Sequence, residues 1–83
     1  AIDALGAMDT DEAAVRLSAF MDLINSYTEN DRPYDLQVTL RTIQNLQTLG
    51  RQVAYNPLFY ATLLTYPNQV KDAAREALRA LTR

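Results

Sequence analysis

The chain has 83 residues, 48% of them hydrophobic, which is enough apolar mass for one small core. Ten acids and eight bases leave a net charge of −2, and there is neither His nor Cys. These absences exclude Ser–His and Cys–His nucleophilic pairs, disulfides, thiolate or imidazole metal sites and an imidazole pH switch.

Two glycines and three prolines suit a helical chain. No apolar run approaches the ~20 residues that span a bilayer. The opening AIDALGAM lacks the basic start and long apolar stretch of a secretory signal. A cytoplasmic location is the expectation, in keeping with the absence of cysteine.

Residues 1–8 are expected to form a short helical turn. Asp9-Thr10-Asp11-Glu12 then reads as a helix start, with Asp9 or Thr10 as cap and two acids at the positive end of the dipole. Ala13, Leu17, Phe20, Ile24 and Tyr27 recur every three or four residues, with Ala14 and Met21 beside them. This spacing predicts an amphipathic helix over 11–27. TENDRP breaks it, and Pro33 suits the first turn of the next helix. That helix is predicted over 34–53, with Leu36, Leu40, Ile43, Leu46, Leu49 and Val53 on one stripe and an end or bend at Gly50. Asn56-Pro57 predicts a third start, with Asn56 as cap and Pro57 in first position. The short third helix, 57–65, stops at Tyr66-Pro67. A fourth is predicted over 68–82: Val70, Ala73, Ala74, Ala77, Leu78 and Leu81 face one way, and Lys71, Asp72, Arg75, Glu76 and Arg79 the other.

The expected fold is all-α: a small bundle of four main helices, arranged as two α-hairpins in a single domain spanning 1–83. The predicted core is Leu17, Phe20, Ile24, Leu40, Ile43, Leu46, Leu64, Val70, Ala74, Ala77 and Leu78. The third helix is apolar on nearly every side, which is the mark of a buried helix. Leu58, Leu63 and Leu64 are therefore assigned to the core. Tyr55, Tyr60 and Tyr66 are placed at its edge, because a phenol hydroxyl needs water or a partner.

The stretch YPNQVKDAAREALRALT resembles the second helix of a HEAT-type repeat, through Pro67, Val70, Lys71-Asp72, Ala73-Ala74 and Ala77-Leu78. At an offset of 34, Pro33 echoes Pro67, Leu36 echoes Val70, Leu40 echoes Ala74, Arg41 echoes Arg75 and Ile43 echoes Ala77. The resemblance implies stacked hairpins, 11–49 and 57–82, of the kind protein-binding scaffolds use. The second helix of the first hairpin lacks the paired alanines, and stacked repeats need at least ~3 copies. A plain bundle is the architecture the rest of the chain favours.

No catalytic constellation is present. Asp9, Asp11 and Glu12 are explained by capping, and Asp31 and Asp35 flank a turn and a helix start. Asp72 and Glu76 match Arg75 and Arg79 at helical spacing. Glu29, Asn30 and Asp31 lack the alternating ligands and glycine of a calcium loop. Gly6 and Gly50 stand alone, so there is no phosphate-binding loop. The chain is expected to be no enzyme and to need no cofactor.

Charge is segregated along the chain. Residues 1–35 hold eight acids and two bases, a balance of −6, and residues 36–83 hold two acids and six bases, a balance of +4. Either the acidic first helix lies against the basic last one, or one molecule's acidic end meets a neighbour's basic end. The expected function is protein–protein interaction or assembly, with a protein partner or a second copy of the chain. The candidate contacts are Tyr55, Phe59, Tyr60 and Tyr66, together with Gln37, Arg41 and Gln44 on the charge-poor face of the second helix. The alternative is a nucleic-acid-binding accessory protein using Arg75, Arg79 and Arg83. The acidic balance weighs against it, because phosphate neutralisation dominates such affinities.

Overall fold

The computed structural model describes residues 10–82. Within them lie four α-helices: α1 (Asp11–Glu29), α2 (Leu36–Leu49), α3 (Tyr55–Leu63) and α4 (Asn68–Leu81). A 3-10 turn, Gln52–Ala54, leads into α3. No described residue is in a strand. The chain is a small all-α bundle, as expected. The turn expected over 1–8, and the charges of Asp3, Asp9 and Arg83, lie outside the described residues.

The helix ends follow from local hydrogen bonding. Thr10 caps α1, its Oγ1 accepting from the Ala13 amide at 3.1 Å. The other end of α1 is closed by Asp31, whose φ of 56° puts a non-glycine residue in the left-handed region. Asp31 donates its amide to the Thr28 carbonyl, and the Arg32 amide reaches the Tyr27 carbonyl at 2.7 Å. Together these form a Schellman closure. The next helix begins later than Pro33 suggested, because Asp35 is the cap: its Oδ1 accepts from the Val38 amide at 3.0 Å. Gly50, at φ 63°, ends α2 three residues before Val53. Val53 is consequently not on the α2 stripe and is exposed.

The third helix starts two residues earlier than expected. Asn56 does not cap it, and Pro57 stands in third position rather than first. The proline is tolerated there because the first four amides of a helix have no intrahelical acceptor to lose. Leu64 is extended and stops α3. The Pro67 carbonyl then accepts from the Val70 and Lys71 amides to open α4. At the far end of α4, Gln52 Nε2 donates to the Leu81 carbonyl at 2.6 Å, covering an otherwise orphaned acceptor.

Four helix pairs pack closely: α1 with α2, α2 with α4, α4 with α3, and α3 with α1. The helices therefore run round the bundle in the order α1, α2, α4, α3. Members of the two diagonal pairs, α1 with α4 and α2 with α3, make at most marginal contact. This overturns the intramolecular reading of the charge segregation: the acidic first helix does not lie against the basic last one.

The core joins Leu17, Met21 and Ile24 of α1, Ile43 and Leu46 of α2, Leu58 and Ala61 of α3, and Val70, Ala74 and Ala77 of α4. Phe20, Leu40, Leu64 and Leu78, expected inside, are only partly buried and pack on its margin. Thr39 and Thr42 are fully buried. Each turns its hydroxyl back to the carbonyl four residues earlier, at 2.8 and 2.7 Å, and so meets the core as a β-branched hydrocarbon. Ser18 is also buried, but its hydroxyl has no partner.

Candidate protein-binding surface

The expected contact residues separate into three groups. Tyr66 is not at an edge. It is 4% exposed, and its hydroxyl donates to Asn25 Oδ1 at 2.8 Å. Asn25, on α1, uses its amide nitrogen to reach the Pro57 carbonyl at 2.9 Å. One buried asparagine thus ties α1 both to α3 and to the segment before α4. The Tyr34 ring meets the Tyr66 ring edge-on, with centroids 5.2 Å apart. Burial pushes the Tyr66 phenol above its ordinary pKa, with a smaller lowering from the Thr28 hydroxyl and a further rise from Tyr34. Tyr66 is a structural residue and is withdrawn from the candidate surface.

Tyr55, Phe59 and Tyr60 are on the surface, at 38, 45 and 57% exposure. Leu63, assigned to the core from the sequence, joins them at 63%. Residues 55, 59 and 63 are spaced by four and form one row along α3. The Tyr55 and Phe59 rings stack within it, 6.1 Å apart and inclined by 11°. Leu58 and Ala61 hold the opposite face of α3, fully buried. The helix is therefore anchored on one side and apolar on the other. From residue 52 to residue 70 the chain contains no charged side chain at all. Taking ~150–250 Å² for a whole aromatic side chain, the four exposed residues present on the order of 400 Å² of largely apolar surface.

One flank of this row is acidic. Asp22, Ser26 and Glu29 of α1 line a depression of about 180 Å³ together with Tyr60 and Leu64. The other neighbour of α3 is α4, where Arg75 pairs with Asp72 at 2.9 Å and Arg79 with Glu76 at 2.8 Å. These pairs divide the basic charge of α4 along its length instead of gathering it into a phosphate-binding stripe.

Gln37, Arg41 and Gln44 are exposed on α2, as expected. They do not share a surface with the α3 row, because α2 and α3 occupy opposite corners. A second apolar feature was not foreseen. Phe20, Leu23 and Tyr27 of α1, with Pro33, Tyr34 and Val38, line a groove of about 310 Å³. Its signal in the sequence is Leu23 and Tyr27, spaced by four and set off the Leu17–Met21–Ile24 face. The chain matches no family model, and no curated protein or solved structure is significantly similar to it.

Proposed function

We propose that this chain is a non-catalytic module for protein–protein association or assembly that binds through the outward face of α3. The observation that carries the reading is the row Tyr55, Phe59 and Leu63 with Tyr60 beside it. Four large side chains stand 38–63% exposed on one short helix with no charge among them. A patch of about 400 Å² is in the range of the largest on an ordinary monomer, and such patches are often functional. Tyrosine and phenylalanine are also enriched at interfaces, whereas charge is depleted from interface centres. The charge-poor α2 face is a second contact on the opposite corner, and the HEAT-like character of the 68–82 segment is in keeping with a scaffold role.

The experiment is site-directed photocrosslinking in cells. A benzophenone side chain at position 60 should give a discrete protein adduct, either with this chain or with another. Phe59→Asp in the same chain should remove that adduct without lowering the melting temperature. If position 60 crosslinks no better than the exposed Glu12, the α3 face is not a binding surface.

A further inference from the structure

We infer that the partner of the α3 face is a second copy of this chain, in a two-fold dimer whose α3 helices run parallel. The inference rests on the association reading above and adds the partner and the geometry. A two-fold contact sets a patch against itself, so a charge close to the axis meets its own copy. The α3 row is suited to this because residues 52–70 carry none. Its ~400 Å² is about half of the ~800 Å² per partner in a standard interface. The neighbouring helices must therefore take part, and the dimer is weak and reversible.

Those neighbours select the orientation. α3 packs on both α1 and α4, which do not pack on each other, so the two flank α3 on different sides. A two-fold axis must lie in the plane of contact. An axis across α3 makes the helices antiparallel and sets each flank against its own copy. An axis along α3 makes them parallel and sets α1 of one molecule against α4 of the other. The charged residues of α1 are Asp11, Glu12, Asp22, Glu29 and Arg16, a balance of −3. Those of α4 are Lys71, Arg75, Arg79, Asp72 and Glu76, a balance of +1. The antiparallel form opposes −3 to −3, and the parallel form opposes −3 to +1 on both sides.

Individual residues agree with the totals. Asp22 and Glu29, beside Tyr60, make no ion pair among the described residues, and neither does Lys71. Glu29 lies by Leu64, just past the end of α3, and Lys71 follows in the first turn of α4. A parallel pairing keeps like ends together and brings the partner's Lys71 to the end where Asp22 and Glu29 stand.

The absence of cysteine makes the geometry directly testable. Tyr55→Cys and Leu63→Cys replace exposed residues ~12 Å apart along α3. A disulfide needs Cα atoms roughly 4.4–6.8 Å apart. In the parallel dimer each variant alone should oxidise to a covalent dimer. If only the mixture of the two variants crosslinks, the pairing is antiparallel and the proposal is overturned. Sedimentation equilibrium from ~10 µM to ~1 mM should show reversible growth that stops at twice the monomer mass. Growth beyond that mass overturns it too, as expected if the α3 row entered the groove beside Leu23 and Tyr27 of a neighbour. Lys71→Glu should raise Kd several-fold, and Glu29→Lys added to it should restore the starting value. A chain that stays monomeric at 1 mM removes the dimer. The photocrosslink from position 60 then decides separately whether α3 binds a different protein or none.

Discussion

Cutting the link between Asn25 and Tyr66 tests whether Tyr66 serves folding or binding. Tyr66→Phe keeps the ring and its edge contact with Tyr34, but leaves Asn25 Oδ1 without its donor in a position only 6% exposed. An orphaned buried acceptor costs about 1–3 kcal/mol. Asn25→Ala takes the acceptor Oδ1 from the Tyr66 hydroxyl and removes the bond to the Pro57 carbonyl, so about 2–4 kcal/mol is expected. At ~0.05–0.15 kcal/mol per residue the whole chain has about 4–12 kcal/mol to lose. Either change is therefore large. Once Asn25 is gone, Tyr66→Phe removes only a hydroxyl that has already lost this partner. The double variant should accordingly cost about 1–2 kcal/mol less than the two singles together. Urea unfolding followed by circular dichroism, with all four chains at equal slope, gives the cycle. Additivity within ~0.3 kcal/mol would refute the assignment, as would a Tyr66→Phe chain as stable as the parent. The photocrosslink from position 60 should survive Tyr66→Phe unchanged.

Three further predictions concern single groups. Because the folded-state pKa of Tyr66 is raised, the unfolded chain gives up its proton first as pH climbs. The stabilisation is complete below about pH 10, the ordinary phenol value, and is lost as pH rises through the folded value; Tyr66→Phe should flatten that alkaline fall in melting temperature. Ser18→Ala should raise stability by about 1 kcal/mol in urea unfolding, since it removes a buried hydroxyl that has no partner and favours the helix. Gly50→Ala should cost about 1–2 kcal/mol from its left-handed backbone alone, because the added methyl would come no nearer than 3.9 Å to the Gln47 carbonyl.

The parts of this fold that the sequence disclosed are those where polarity marks an outside. α4 alternates alanine and leucine with five charged residues, and its observed span, Asn68–Leu81, is within one residue of the expected 68–82. α1 and α2 are marked nearly as well, and their ends moved where the Asp35 side-chain cap or a left-handed residue, Asp31 or Gly50, overrode the apolar period. α3 has no such marker. A helix without charge gives periodicity nothing to measure, so Leu63 reads as core although it is exposed. Tyr66, between α3 and α4, reads as an edge residue, but Asn25, 41 residues earlier in the chain, accepts from its hydroxyl inside the core. That contact exists only after α1 and α3 have packed, and no local pattern announces it. Thr39 and Thr42 hid for a related reason. Their polarity is cancelled by their own helix, which leaves two methyl-bearing side chains for the core.

Among the described residues, helix packing does not account for the separation of charge along the chain. Its acidic and basic helices occupy opposite corners of the bundle and do not pack together. The ion pairs that do form are mostly within one helix: Arg16 with Glu12, Arg75 with Asp72, Arg79 with Glu76. Only Arg51 with Asp11, at 2.7 Å, joins the two halves among the described residues, and the Asp11 side chain is 91% exposed. Exposed pairs of this kind contribute roughly 0–1 kcal/mol each. Among the described residues the segregation therefore does little for stability inside one molecule. In the proposed dimer the same charges act differently, because they determine which of two apolar pairings brings unlike flanks together. An uncharged helix held between an acidic and a mildly basic one can stick to itself, and it is the flanks that tell it which way round. Raising salt from about 50 to 500 mM separates the two contributions, since screening shortens to well under 10 Å over that range. The α3 contact should persist, while the preference for like-ended over crosswise disulfides should shrink. A preference independent of salt would mean that packing along α3, rather than its charged neighbours, sets the orientation.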